Sequence, residues 1–149
     1  MFLQRIARAA GVAKARNLEE TLRFAAHEPP MRTQVGQCRG GVVEFLGAEG
    51  TGLHGPYIPL PKGRYIARLR FRAGWAAGGT AVLDVSADNG ETRIASQPFE
   101  GTRLAAVGMV VELPFEAASD LSGVEIRLFC RPGFTGAVEW AEIAPAAAA

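Results

Sequence analysis

A row of arginines carries the most distinctive chemistry of this sequence. Arg68, Arg70 and Arg72 occupy every second position of the stretch "GRYIARLRFRAGW" and alternate with the apolar residues Leu69 and Phe71. Successive side chains of a β-strand point to opposite faces, so the three guanidinium groups share a face that meets water or a ligand. Because guanidinium groups form paired, planar hydrogen bonds and stack on rings, the row predicts either a binding surface or a set of ion pairs.

Three interpretations of the arginine row stay open at this point. In the first, acidic residues on neighbouring strands pair with it, and Asp84, Glu112 and Glu125 are the candidates. In the second, the row binds the hydroxyl or carboxylate groups of a glycan. In the third, it binds phosphate or nucleic acid. The sequence has no basic run interleaved with aromatic residues, so we expect no nucleic-acid partner.

Aromatic side chains are the second type of candidate, because the apolar face of a sugar ring packs on an aromatic ring. Tyr57 lies in the predicted loop "LHGPYIPL", and Trp75 follows the arginine strand in a glycine-rich loop, where it either binds a ligand or folds back over the core edge. Arg127 faces away from the apolar residues of its strand and could extend the basic face. Trp140 shares a side of its strand with Val138, which predicts burial. The candidate ligand-binding residues are therefore Arg68, Arg70, Arg72, Trp75, Tyr57 and Arg127.

Sequence motifs for catalysis are absent. The chain contains no nucleophile elbow, zinc-binding helix, phosphate loop or dinucleotide loop. His27 and His54 are the only histidines, and neither has a companion residue that the sequence alone can place. A pair of glutamates spaced for glycoside hydrolysis stays open, since two strand glutamates could approach each other. We expect a protein that is not an enzyme and has no cofactor.

Charge and composition divide the chain into two parts. It has 149 residues and a net charge of +1, which suits one folded domain with an additional arm. Residues 1–40 contain seven basic residues and three acidic ones, whereas the remainder contains nine basic and twelve acidic residues. No stretch approaches the ~18 apolar residues of a membrane-spanning helix. The start is interrupted by charge, so we expect no signal peptide. Both cysteines are expected to be reduced, with Cys130 in the core.

Residues 1–40 are predicted to form a basic helical arm. Apolar residues recur at helical spacing between residues 2 and 15. Asn17 can cap a second helix that begins at Leu18 and ends at Pro29–Pro30. Short amphipathic helices are marginally stable alone, so the arm should dock on a partner surface and join a homo-oligomer or a larger assembly.

Residues 41–149 are predicted to form an antiparallel β-sandwich, because the apolar period changes from helical to alternating. Six stretches alternate in this way, and Asn89–Gly90 is a tight-turn signal between two of them. Glycine, proline and aspartate separate the strands, which is typical of a sandwich. The predicted core residues are Tyr65, Ala67, Leu69, Phe71, Ala81, Leu83, Val85, Val107, Met109, Val111, Leu113, Val124, Ile126, Leu128 and Cys130.

The stretches "GPYIPLPKGRYIARLRFRA", "GTAVLDVSADNGETRIAS" and "VVELPFEAASDLSGVEIRLFCRPGFTGAVEWAEI" occur in this order between residues 41 and 144. Together they resemble the galactose-binding-like jelly-roll superfamily, to which many carbohydrate-binding modules belong. The resemblance implies an all-β antiparallel jelly-roll sandwich and a polysaccharide partner. Modules of this kind often carry a structural calcium near the chain ends, which would make Glu44, Glu139 and Glu142 its ligands by analogy.

The context of the sandwich is also similar to that of a head spike or fibre component of a phage-like particle or gene transfer agent. Such spikes engage capsular polysaccharide, and a protein released by lysis needs an anchor rather than a secretion signal. We therefore expect synthesis in the cytoplasm and incorporation into a virion-like particle.

Three functional classes follow from these observations. The first is a non-catalytic carbohydrate-binding module for attachment to a cell-surface or capsular polysaccharide. The second is a structural or decoration protein whose sandwich mediates subunit contacts. The third has the arm lying on an anionic membrane, a partner that we do not expect.

Overall fold

Antiparallel strands make up most of the described chain, which runs from residue 20 to residue 146 of the computed structural model. The strands are β1 (Leu22–Ala25), β2 (Gln37–Arg39), β3 (Val42–Leu46), β4 (Gly50–Leu53), β5 (Pro56–Leu60), β6 (Gly63–Phe71), β7 (Thr80–Ala87), β8 (Thr92–Glu100), β9 (Val110–Ala117), β10 (Leu121–Cys130) and β11 (Thr135–Pro145). Two short 3-10 turns, Gly101–Arg103 and Ala105–Val107, precede β9. No helix within residues 20–146 is long and apolar enough to cross a membrane.

Two sheets form the predicted sandwich. The six-stranded sheet has the order β2-β3-β11-β6-β9, with β1 also paired to β11. The five-stranded sheet has the order β4-β10-β7-β8, with β5 also paired to β10. The rings of Phe71, Phe99 and Phe134 meet between the sheets with centroids 5.8 to 6.2 Å apart. Alternation on β6, β7 and β10 therefore points one set of side chains into a shared core and the other set outward.

The hairpin between β7 and β8 is present, and its turn lies one residue earlier than the sequence signal. Asp88 and Asn89 have φ angles of 56° and 55°. The Gly90 amide donates a hydrogen bond to the Ala87 carbonyl oxygen at 3.1 Å. Positive φ at both central positions gives a tight turn whose twist matches that of the strands it joins.

The helical prediction for residues 18–28 is wrong in the part that the structure describes. Leu22 and Phe24 are buried and point into the sandwich, because β1 pairs with β11 from Leu22↔Ile143 to Ala25↔Trp140. Backbone pairing with an existing strand outweighs the weak helical preference of so short a segment. Residues 1–19 of the predicted arm lie outside the described residues. Since β1 and β2 belong to the six-stranded sheet, the sandwich starts before residue 41.

Three local predictions in the sandwich also need correction. Val107 is exposed and Met109 is half-buried, because this part of the chain forms a 3-10 turn before β9 begins. Tyr57 lies in β5 rather than in a loop. Trp140 is half-buried on the outer side of β11, because the register shifts between Val138 and Trp140. The other predicted core residues are buried, and both cysteines are free, with Cys130 fully buried.

Candidate functional site

The arginine row lies on the outer face of the six-stranded sheet, where glutamates pair with it. Arg68 donates to Glu112 at 2.6 Å and to Glu142 at 3.0 Å. Glu142 also accepts a hydrogen bond from Arg23 on β1 at 2.8 Å and is only 4% exposed. The hydrogen bond that Arg68 donates to Glu112 is the main cause that raises the pKa of Arg68 above its usual range. Two arginines from different strands thus share one buried carboxylate.

Glu139 pairs with the other two arginines of the row, as Glu142 pairs with Arg68 and Arg23. Arg72 Nε donates to Glu139 at 3.0 Å, and Arg70 Nε lies 3.6 Å from the second oxygen of the same carboxylate. Arg72 also donates to the carbonyl oxygen of Gly40 at 2.7 Å. The pairing of Arg68 with Glu112 was expected from the sequence, whereas Asp84 and Glu125 lie on the five-stranded sheet. A ligand-binding role for the row stays a prediction.

The remaining sequence candidates separate into two places. Trp75 is half-buried in the loop between β6 and β7, and the Arg39 guanidinium lies 5.9 Å from the centroid of its ring. Arg127 and Tyr57 belong to β10 and β5 of the five-stranded sheet. Arg127 therefore does not extend the basic face of β6, because the two strands belong to different sheets. The six candidates do not form one site.

Tyr57 lies at one end of the outer face of the five-stranded sheet. Its hydroxyl group forms a hydrogen bond with Nδ1 of His54, and the two rings meet edge to face. Partial burial raises the pKa of the Tyr57 hydroxyl, and the nearby Glu125 carboxylate raises it further. The phenol therefore stays protonated at neutral pH and can donate a hydrogen bond.

A groove of about 520 Å³ crosses the outer face of the five-stranded sheet. Strand pairing arranges the side chains of β10, β7 and β8 into rows. The rows are Glu125–Ser86–Arg93, Arg127–Asp84–Ser96 and Phe129–Val82–Pro98. Thr51 on β4 pairs with Phe129 and extends the third row, and Arg131 lines the groove beyond that row. The apolar row thus lies between the polar rows on one side and Arg131 on the other.

Asp84 and Arg127 form the best-defined polar contact in the groove. Arg127 Nε donates to Oδ1 of Asp84 at 2.8 Å, and Nη2 donates to Oδ2 at 2.9 Å. This two-point hydrogen bond fixes both planar groups relative to the sheet, and it is the main cause that raises the pKa of Arg127. Next to the pair, the Phe129 ring is 43% exposed. The groove therefore presents an aromatic surface beside fixed hydrogen-bonding groups.

Sequence reasoning missed Phe129, Arg131 and Arg93 as groove residues. A signal for the first two is present, because Arg127, Phe129 and Arg131 alternate in "RLFCR" just as the arginines of β6 do. The sequence analysis above considered such an outward row only on the strand of Arg68, Arg70 and Arg72. Arg93 has no such signal, since the pairing of β8 with β7 is what brings it to this face.

The three glutamates suggested as calcium ligands are all engaged by arginines. Glu44 Oε1 lies 2.9 Å from Arg39 Nε as an ion pair without a hydrogen bond, and Glu139 and Glu142 accept hydrogen bonds from arginines as described above. Carboxylates that already neutralise guanidinium groups do not fit a cation site. Within residues 20–146, no group of three or more histidines, cysteines, aspartates or glutamates could hold a metal ion.

Solved structures share this architecture at low sequence identity. The C-terminal family 6 carbohydrate-binding module of the marine laminarinase LamC from Zobellia galactanivorans is 17% identical, with a TM-score of 0.55 over 83% of this chain and 98% of that chain. The unliganded module BiXyn10A CBM1 is 12% identical, with a TM-score of 0.50 over 87% of this chain and 100% of that one. The catalytic domain of an α-1,3-glucanase of family GH87, solved with nigerose, is 12% identical with a TM-score of 0.50; the match covers 89% of this chain and 29% of that one.

No protein-family model matches the sequence, and no curated protein matches it. The fold itself is clear from the solved structures. The chain has the same β-sandwich fold as these two carbohydrate-binding modules.

Proposed function

We propose that the protein is a non-catalytic carbohydrate-binding module that attaches to a cell-surface or capsular polysaccharide through the groove of its five-stranded sheet. The observation that carries the proposal is the exposed Phe129 ring beside the fixed pair of Asp84 and Arg127. A sugar ring packs its apolar face on an aromatic ring while its hydroxyl groups form hydrogen bonds around the edge. The hydroxyl groups of Ser96 and Thr51 line the same groove and supply further partners.

A binding role fits the groove better than a catalytic one, because of how its carboxylate is held. Asp84 accepts hydrogen bonds from Arg127 on both of its oxygens. A general acid must instead offer a proton to the leaving group, and a nucleophile must approach the sugar freely. Asp84 therefore serves to orient Arg127, whose remaining N–H groups can donate to sugar hydroxyl groups.

A single shallow groove binds weakly, so attachment would gain strength from several copies. Linked sites raise the effective concentration of the second binding event without any new contact. We propose that the protein acts as a homo-oligomer or as part of a phage-like particle, as the sequence indicates. Light scattering of the purified protein tests the first arrangement, and probing purified particles with an antibody tests the second.

The central experiment measures the affinity of the protein for a panel of bacterial capsular and other polysaccharides. Phe129→Ala should lose roughly ten- to one-hundredfold in affinity, because the exposed ring is the main apolar contact. Leu46→Ala is the matched control, since Leu46 is 59% exposed on β3 of the opposite sheet. The proposal fails if no polysaccharide binds the wild-type protein, or if the two variants bind equally.

A further inference from the structure

We infer, on the basis of the proposed function, that the groove recognises an anionic polysaccharide whose carboxylate groups lie on separate sugar residues. Arg93 and Arg131 would bind these carboxylates at the two ends of the groove, and the apolar row with Phe129 would hold the sugar ring between them. The inference rests on charge, on pairing and on spacing.

The groove is electropositive although the sandwich is not. Three arginines and one carboxylate line it, namely Arg93, Arg127, Arg131 and Asp84, and Glu125 in the row of Arg93 adds a second carboxylate at its edge. Residues 41–149 as a whole contain nine basic and twelve acidic residues. An excess of positive charge within a recess of a mildly acidic domain favours anionic ligands and excludes cationic ones.

Two of the three arginines donate no hydrogen bond to a carboxylate of the described residues. Arg127 occupies both oxygens of Asp84 at 2.8 and 2.9 Å. Arg93 reaches the same carboxylate only at 3.7 Å, and its side chain is 66% exposed. Arg131 is exposed and forms no ion pair with another residue in the described range 20–146. On the six-stranded sheet, Arg68 and Arg72 donate hydrogen bonds to glutamates at 2.6 and 3.0 Å, whereas Arg70, like Arg93, only approaches a carboxylate, at 3.6 Å.

The two available arginines lie too far apart to bind one carboxylate. Arg93 is paired in the row of Ser86 and Glu125, and Arg131 lies six positions beyond Glu125 along the strand direction. At ~3.4 Å per residue, the two backbone positions are roughly 20 Å apart along the strands. The Arg93 side chain reaches towards Asp84, which pairs with Arg127, so its charged end lies about 14 Å from the level of Arg131. Phe129 lies between them along the groove. One extended polysaccharide chain can meet all three, with acidic groups at its two ends and an apolar ring face at the centre.

The test compares acidic polysaccharides with their uncharged derivatives. Polygalacturonate, alginate and hyaluronan are each measured beside a form whose carboxyl groups have been methyl-esterified, with dextran sulfate as a sulfated polymer. We expect at least one carboxylated polysaccharide to bind, and its ester to bind about tenfold more weakly. Added salt should weaken binding of the acid and leave binding of the ester unchanged, since ions screen exposed charges.

Variants assign the effect to the two arginines. The double variant Arg93→Gln/Arg131→Gln should reduce the affinity for the acid to that for the ester and leave the affinity for the ester unchanged. Arg64→Gln/Arg103→Gln is the matched control, because it removes the same two charges from exposed positions outside the groove. A loss as large in the control as in the double variant would overturn the inference, as would binding of dextran sulfate that exceeds that of every carboxylated polymer.

The outcome also separates this inference from the proposed function. Suppose that Phe129→Ala abolishes binding but the tightest ligand is neutral, or esterification has no effect. The protein is then a carbohydrate-binding module, and the inference that it recognises carboxylates is wrong. If no polysaccharide binds at all, both the proposed function and this inference are wrong.

Discussion

Asp84 points outward from its sheet and is nevertheless only 8% exposed, because the Arg127 guanidinium covers it. A carboxylate withdrawn from water in this way needs its partner, since an unpaired buried charge is strongly destabilising. The pair also determines which arginine of the groove is hydrogen-bonded to a carboxylate and which are not. Arg127 donates hydrogen bonds to both oxygens of Asp84, whereas Arg93 only approaches that carboxylate at 3.7 Å, and Arg131 forms no ion pair within the described residues 20–146.

Cys130 is the residue whose burial has the clearest consequence for pH. Burial raises the pKa of its thiol from 9.0 to about 12. A group whose pKa is higher in the folded state gives its full contribution to stability below the unfolded pKa and loses it as the pH rises. The free energy of unfolding should therefore fall between about pH 9 and pH 12, by up to about 1.4 kcal/mol per pH unit from this thiol.

Urea unfolding from about pH 8 to pH 10.5 measures this effect. Cys130→Ala is less stable at every pH because it leaves a cavity, but its stability should fall less steeply with pH. Cys38→Ala should keep the steep wild-type dependence, because Cys38 is exposed. Parallel pH profiles for the wild type and Cys130→Ala would contradict the assignment.

At the scale of elements, the bulge in β11 organises the outer face of the six-stranded sheet. Val138 pairs with Phe71 and Trp140 pairs with Arg70, so one extra residue, Glu139, is inserted. In a regular strand Glu139 and Glu142 would point to opposite faces, because they are three residues apart. The insertion brings both carboxylates to the arginine side. It also turns Trp140 outward, where the Arg23 guanidinium lies 3.9 Å from the ring centroid.

Glu142 should be a key stabilising residue of this sheet, since it joins β11 to β1 and β6. Glu142→Gln should lower the free energy of unfolding by about 1–3 kcal/mol. This value allows for water screening, because the Arg23 and Arg68 side chains are 31% and 26% exposed. Urea denaturation measures the change as a lower midpoint with an unchanged slope.

Glu116→Gln is the control for that substitution. Glu116 lies exposed on β9 and forms no ion pair with any residue described between positions 20 and 146. It should unfold at the wild-type midpoint. Equal midpoints for the two variants would show that the shared carboxylate contributes no more than an exposed one.

The long strands could be predicted from sequence, whereas the short ones could not. β6, β7 and β10 each alternate over eight to ten residues, and alternation over that length specifies a half-buried strand. β1 has four residues and β2 has three, which is too few for a period to show. Their strand conformation comes from pairing with β11 and β3, which is a tertiary effect.

The candidate site was predictable only in part, for the same reason. The outward direction of Arg68 and Arg127 follows from the alternation of each strand. Their partners do not, because Glu142 and Asp84 are brought to them by the register between strands. The sequence therefore indicates which side chains face outward, and the sheet pairing decides whether each arginine is neutralised or available.

At the scale of the whole molecule, the two outer faces carry different features. The six-stranded face carries ion pairs that hold strands together, and the five-stranded face carries the groove. The core separates them, so no residue of the groove contacts the Arg68 network within the described chain. Stability and ligand binding should therefore be separable by mutation.

Combining Glu142→Gln with Phe129→Ala tests this separation. The first substitution should change stability without changing polysaccharide affinity, and the second should do the reverse. The change in the free energy of unfolding of the double variant should equal the sum of the changes in the two single variants within about 0.5 kcal/mol. A coupling well above that value, or a loss of affinity in folded Glu142→Gln, would show that the faces are not independent.

The most direct test of the central claim is an NMR titration of the protein with oligosaccharides of the polysaccharide that binds best in the panel. Binding at the groove predicts amide shift changes on β7, β8 and β10, centred on Asp84, Ser96 and Phe129, with none on β6. Shift changes centred on Arg68, Arg70 and Arg72 would place the ligand on the six-stranded face and contradict the account. The absence of any bound polysaccharide would contradict carbohydrate binding itself.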